Sequence, residues 1–311
     1  MILLLLQISI DSYHVFNIYL ELTKKKHTKQ IQKQIIQGLP MGIIPIFDTK
    51  KACRPMRVAA FMSGSGTNVI KLLKREKAFK RQEGPPPFQV IFIFSDRSDG
   101  GCHGESIAYE NSIPYFSYDI RAFHRTRGLK RSVLTQEGMN ARRNFDSIAA
   151  RLVDIFEIDM IALGGYMSFT TLDRCVNVHP ADLSILTTDN KRKYVGDDAV
   201  FDAITAGETE LRSSTLWTDQ GVDTGPLLMA SEPLEINLPV PLNVLLTDKV
   251  KMRQIADEHQ ELLKEKGDWE IFPDTIEMIA QGRFGLDDDS NVYVDGEPVP
   301  DGYRKGISSK T

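Results

Sequence analysis

From Arg57 onward, short apolar runs alternate with stretches in which apolar positions recur every three or four residues. Val58–Met62 is a short apolar run, the pattern of a buried strand, and Phe88–Phe94, polar only at Gln89, is strongly strand-like. Tyr115–Tyr118, Ile158–Leu163 and Cys175–Val178 read as further strands. Between them, Asn68–Lys77 sets Val69, Leu72 and Leu73 at helical spacing, and Gly104–Ser112 reads as a second helix. Phe145, Ile148, Ala149, Leu152, Val153 and Phe156 mark one face of a third. Strands and helices in this alternation predict an α/β fold with a mainly parallel central sheet flanked by helices. Further on, Leu211–Thr218 and Pro226–Ala230 predict a strand pair. A long helix is expected over Pro241–Lys264, broken near Gly267, with a shorter one over Pro273–Gln281. Asp295-Gly296 between short apolar runs predicts a C-terminal hairpin.

Composition narrows the class. In 311 residues, 41% are hydrophobic and 26% charged, which is globular composition, and the formal net charge of -4 argues against non-specific nucleic-acid binding. The charge is uneven. Residues 1–55 hold eight Lys/Arg against three Asp/Glu, a net +5, so the rest of the chain carries -9. Residues 1–55 are therefore read as an N-terminal extension, partly disordered or mis-started, and 56–311 as the functional domain. For residues 1–40 two readings stand: a short amphipathic helix, or upstream sequence ahead of a start at Met41. Either way, their deletion is expected to leave activity intact. The apolar run Met1–Leu6 is far short of the ~20 residues that span a bilayer and has no basic segment before it, so no membrane partner is expected. Cys53, Cys102 and Cys175 form no CxxC pair, which argues against disulfides and a zinc ribbon. Cys102-His103 reads as a loop, and no metal is expected. The expected location is cytoplasmic.

Two segments and a turn-rich loop carry candidate chemistry. Ser63-Gly64-Ser65-Gly66-Thr67-Asn68 leaves a strand and opens a helix. Glycines let the backbone approach an anion, and a helix N-terminus offers free N–H groups and a positive dipole end. Gly64, Ser65, Gly66, Thr67 and Asn68 thus suit one phosphate, against the plain reading of a tight turn. Val69 stands where a dinucleotide fingerprint needs its third glycine, and there is no Gly-Lys-Ser/Thr of a P-loop. The other segment, Asn177-Val178-His179-Pro180, ends an apolar strand, and alternation puts Asn177 and His179 on one face. A turn-rich loop, Asp219–Pro226, supplies two carboxylates, Asp219 and Asp223.

Taken in order and spacing, these segments resemble the folate-dependent formyltransferases, and among them the phosphoribosylglycinamide formyltransferases. The likeness runs from about Met56 to Tyr303. It also includes Leu163-Gly164-Gly165-Tyr166-Met167, Val222-Asp223-Thr224-Gly225-Pro226, Asp257-Glu258-His259, Ala280–Phe284 and the tail around Asp295-Gly296 and Pro300–Tyr303. The resemblance implies a Rossmann-like formyltransferase fold. It implies transfer of a formyl group from 10-formyltetrahydrofolate to the amine of glycinamide ribonucleotide, in purine synthesis, with small molecules as the only partners and a monomer or homodimer as the working form. Asn177, His179 and Asp223 match the catalytic set. An Asn amide and a protonated His can stabilise the tetrahedral oxyanion, the His can shuttle the proton, and the Asp favours the imidazolium. Residues 64–68 would hold the ribose phosphate, Glu258 the ribose, and Gly165, Tyr166, Met167, Gly221, Val222 and Thr224 the folate. The alternatives are transfer to another phosphorylated or sugar amine, or a non-catalytic folate- or nucleotide-binding relative.

The chain departs from that pattern at Ala181–Ser184, where the family has Ser-Leu-Leu-Pro. An insertion, Thr187–Tyr194, carries Lys191-Arg192-Lys193. It reads as a solvated loop, or as a contact for a phosphate or a folate glutamate tail. Ser168 stands in place of an Arg, Leu216 in place of a His, and Lys264–Trp269 interrupts a helix.

Overall fold

A computed structural model of the chain describes residues 42–80, 85–130 and 132–304. β1 (Ile44–Pro45) and α1 (Thr49–Ala52) precede β2 (Met56–Met62), α2 (Thr67–Lys80), β3 (Phe88–Ser95), α3 (Gly104–Asn111), β4 (Tyr115–Ser117) and α4 (Ile120–Arg127). The chain continues through α5 (Gln136–Ile155), β5 (Met160–Leu163), β6 (Cys175–His179), α6 (Ala199–Thr205), β7 (Glu210–Leu211), β8 (Ser214–Trp217), β9 (Leu227–Ala230) and β10 (Leu234–Glu235). Then α7 (Leu242–Leu245), α8 (Lys249–Leu263), a π-helical turn (Lys264–Asp268) and α9 (Trp269–Ala280) lead to β11 (Phe284–Leu286), β12 (Val292–Val294), β13 (Glu297–Pro298) and β14 (Tyr303–Arg304).

The central sheet has the order β14-β9-β8-β6-β5-β2-β3-β4. It is mainly parallel, as the alternation predicts, with β8 antiparallel to both β6 and β9. Parallel strands covered on both faces must be apolar on both, which is why β2 and β3 are hydrophobic apart from Arg57, Gln89 and Ser95. One face packs against α2, α3 and α9 through residues such as Val69, Leu72, Ile107, Phe272 and Ile276. The other is covered by α5 under β2, β3 and β5, and by α6 and α8 under β8 and β9.

Two sequence boundaries move. Residues 44–52, assigned to the extension, belong to the folded unit: β1 pairs with β11, and Phe47 is buried in the main core. Their basic charge hides this, because Lys50 and Lys51 lie outward on α1, capped by Asp48. Residues 1–41 lie outside the described part. The second shift concerns the helix expected to break near Gly267. It runs on into α9 through the π-helical turn. Gly267 passes so close to β8 that a Cβ there would lie 2.8 Å from Ser213 Cβ and 3.2 Å from Ser231 Oγ. The wider turn thus seats the chain on the serines that flank β8 and β9. The expected hairpin joins β12 to β13, and Asp295 and Gly296 both have positive φ. No helix among the described residues is long and apolar enough to cross a membrane.

Candidate active site

Gly64–Asn68 leaves β2 at its carboxyl end and starts α2, the place where open α/β sheets bind ligands. Gly66 has φ +71, and a Cβ there would lie 2.7 Å from Ile107 Cδ1 and 2.8 Å from Met62 Sδ. Gly64 accepts a hydrogen bond from the His103 backbone, Ser65 and Thr67 hydroxyls lie 3.3 Å apart, and the buried Asn68 Oδ1 has no partner among the described residues. Beneath the loop, Asp96 accepts from Ser63 Oγ at 2.6 Å and from Ser168 Oγ. Ser168 is thereby tied to the base of the glycine loop.

Asn177 and His179 share the face of β6 that looks toward α6 and α8, where their Cα partners across the ladder are Leu216 and Ser214. Asp223 reaches them from an unexpected direction. Because β8 is antiparallel, the loop after it leaves the sheet at the level of Val176, opposite Trp217, and folds back over that face. Asp223 Oδ2 comes to 3.6 Å from His179 Nδ1, and Asp223 Oδ1 accepts from Asn177 Nδ2 at 3.5 Å. These are long contacts, of the kind that tighten around a reacting group. His179 is only 6% exposed, and its buried Nε2 has no partner among the described residues. Burial lowers its proton affinity below the usual histidine value. Asp223, the Tyr194 backbone and Asp197 oppose this, while the Arg192 cation adds to it. Desolvation therefore outweighs the Asp223 carboxylate, and the neutral imidazole is the resting form, where the sequence alone suggested an imidazolium.

Asp223 has φ +53, a left-handed conformation that costs a non-glycine residue roughly 1–2 kcal/mol. The Thr187–Tyr194 insertion holds it there. Arg192 Nη1 donates to Asp223 O at 2.7 Å and Nη2 to Gly225 O at 2.6 Å. The Gly196 amide donates to Asp223 Oδ2 at 3.4 Å. The insertion is thus neither a solvated loop throughout nor an open basic patch: Arg192 is committed to backbone, and Lys193 pairs with Glu208. Leu216 is buried beside Leu183, Tyr194 and Leu227.

The remaining candidates divide. Met167 and Val222 are apolar and exposed, at 72% and 56%, and Gly165, Gly221 and Thr224 are also exposed. Tyr166 is not: its ring packs on Phe61, and its hydroxyl takes a hydrogen bond from Arg142, which is itself paired with Asp146. Alternation after the glycine pair turns it into the core. Glu258 is exposed on α8, bonded to Gln254, in the layer opposite to α2 and the glycine loop.

On the face of the sheet covered by α2 and α9 lies Asp268, which in the sequence is part of the Lys264–Trp269 interruption. It sits at the N-terminal end of α9, which packs on α2, and the neighbouring Trp269 ring lies under Lys71 Nζ at 4.7 Å. Its Oδ1 is buried without a partner among the described residues, and burial lifts its pKa to about 6 despite a hydrogen bond with Ser213. The local signal was a Gly-Asp pair inside a helical pattern. A folded-state pKa raised from 3.8 means that the folded protein binds this proton more tightly than the unfolded chain. Stability is then lost as pH rises from about 4 through about 6, by up to about 3 kcal/mol at pH 7. Asp268→Asn is expected to recover much of this at pH 7 and little at pH 4. Equal thermal shifts at both pH values would show that the carboxylate carries no such penalty.

The α/β sheet thus carries the glycine loop at the end of β2 and, two strands away, Asn177 and His179 on β6 with Asp223 folded over them. The formyl transferase family model matches residues 56–237, and the chain belongs to that family. It is 25% identical over 183 residues to the trifunctional purine biosynthetic protein adenosine-3 of Drosophila melanogaster, covering 57% of this chain but only 11% of that protein. The fold matches the phosphoribosylglycinamide formyltransferase of Coxiella burnetii in complex with CHES, with a TM-score of 0.55 at 22% identity over 81% of this chain and 99% of that one. It also matches a formyltetrahydrofolate deformylase of Pseudomonas putida KT2440, with a TM-score of 0.52 at 15% identity over 78% and 70% of the two chains.

Proposed function

We propose that the protein transfers the formyl group of 10-formyltetrahydrofolate to the amine of glycinamide ribonucleotide. The observation that carries this reading is the convergence of Asn177, His179 and Asp223 on one face of β6, with His179 Nε2 buried and unpartnered. Neutral His179 takes a proton from the attacking amine and returns it to the departing folate nitrogen. Asn177 donates its amide hydrogen to the oxygen that becomes negative at the formyl carbon. Asp223 orients the imidazole and steadies its charged form while it holds the proton. The exposed apolar Met167 and Val222, with the backbone around Gly165 and Gly221, suit a flat pterin.

The amine substrate would be anchored by its phosphate at residues 64–68. β2 and β6 are two strands apart in the sheet, which is about 10 Å, the reach of a ribose 5-phosphate carrying a short amide. The ribose hydroxyls find an acceptor in Asp268, on the same side of the sheet as the loop, in place of Glu258. Leu216, where the glycinamide ribonucleotide enzymes carry a His, favours a second reading in which another phosphorylated amine is formylated. The deciding assay supplies 10-formyltetrahydrofolate with glycinamide ribonucleotide and, separately, with water alone. Formylated ribonucleotide is expected only in the first. Release of formate without the ribonucleotide selects a hydrolase and overturns the proposal, and no turnover in either points to a different amine or to a non-catalytic relative.

A further inference from the structure

We propose that Arg192, delivered by the Thr187–Tyr194 insertion, is a positioning residue that holds the Asp223 turn in register with Asn177 and His179. The inference rests on the reading of those three residues as the reacting group. Its ground is geometric. One guanidinium spans two backbone carbonyls, Asp223 O at 2.7 Å and Gly225 O at 2.6 Å, across the single residue Thr224. The turn it spans has a strained centre, with Asp223 at φ +53, and a tight exit. At Gly225 a Cβ would collide with Trp217 O and lie 3.0 Å from Asp219 N. The turn's own bonds, from Gly221 N and Thr224 Oγ1 to Asp219 Oδ1, fix its first half and leave the two carbonyls beyond it to Arg192. The insertion is built to present this side chain: Thr187 and Lys191 close a hydrogen-bonded turn, Leu186 bridges to Arg192, and Tyr194 is buried next to Leu216. The same segment brings the Gly196 amide to the Asp223 carboxylate.

A planar fork can satisfy two carbonyls at once, and a lysine ammonium on a flexible stem cannot reproduce that geometry. Arg192→Lys therefore separates position from charge, and Arg192→Gln removes both. In each, kcat is expected to fall about 10- to 100-fold, the scale of a misplacement of about 1 Å at a reacting group, with KM for both substrates little changed. The groups facing His179 are Asp223, Arg192, Asp197 and the Tyr194 backbone. Between the two variants only the cation differs, so the pH–rate limb assigned to His179 should lie higher in Arg192→Gln than in Arg192→Lys. Lys191→Ala, at an exposed position, should match the unaltered enzyme. Amide hydrogen exchange across residues 219–226, read on the full-length protein, should accelerate in both Arg192 variants while the rest of the sheet is unchanged.

Full kcat in Arg192→Lys, or unaltered exchange over 219–226, overturns the proposal. So does a fall in Lys191→Ala as large as that in Arg192→Lys, since it would mean that the insertion acts as a basic patch. If the unaltered protein formylates no amine at all, the reading of the reaction fails, and the exchange measurement alone upholds or overturns the staple.

Discussion

In His179→Ala the rate of formyl transfer is expected to fall by about 10²- to 10⁴-fold, the usual share of a positioned acid–base group, with both substrates still bound. The side chain is buried, its Nε2 has no partner among the described residues, and the Asp223 Oδ2 that faces its Nδ1 keeps the Gly196 amide when the ring is removed. The space it leaves faces the Tyr194 backbone and the Asp223 turn, and the expected loss of stability is about 1–3 kcal/mol, the ordinary range for such a truncation. A thermal melt separates this from unfolding. The pH profile is the sharper readout. Burial holds the imidazole neutral below its usual value of 6.5, so the acid limb of the rate should lie beneath that pH and vanish in the alanine variant. A limb that persists, or a rate within tenfold of the original, would show that another group moves the proton.

Several parts of this candidate site are legible in the sequence. The glycine loop, the strand-end Asn177 and His179 and the Asp219–Pro226 loop each have a local signature, set by strand alternation or turn chemistry. The long parallel strands were legible for the same reason, since burial on both faces leaves few polar positions. What local pattern could not carry was pairing over long sequence distance. β1 is two residues long and makes sense only against β11, some 240 positions away. Asp268 reads as part of a broken helix because a π-helical turn leaves no periodic signal, while Glu258 stands in a segment, Asp257-Glu258-His259, that matches the family pattern. Only the layer order shows that α8 lies across the sheet from the glycine loop. Arg192 was one of three adjacent cations, and nothing in Lys191-Arg192-Lys193 marks which of them turns inward.

Gly66→Val is expected to abolish the contribution of the substrate phosphate to binding. Two effects act together. The residue needs φ +71, which a β-branched side chain adopts only under strain, and its Cβ would press on Ile107 Cδ1 and Met62 Sδ at 2.7 and 2.8 Å. Those neighbours are side-chain ends that can yield, so the loop is pushed outward and the core keeps its fold. Its amides then no longer converge on one anion. Gly64 provides the contrast: no positive φ and nothing within 4 Å of an added Cβ, so Gly64→Ala should melt like the unaltered protein. The decisive comparison uses the ribonucleotide and the same amine without its phosphate. In the unaltered enzyme the phosphate should lower KM by at least about tenfold, or about 1.4 kcal/mol, a modest share for a charge-assisted site. In Gly66→Val the two substrates should bind alike, because the coupling between loop and phosphate is gone while the formyl-transfer group on β6 is untouched. A phosphate advantage that survives the substitution would mean that the loop is only a turn. The anion would then have to be held elsewhere on the same side of the sheet, where Lys71 stands over Trp269 beside Asp268.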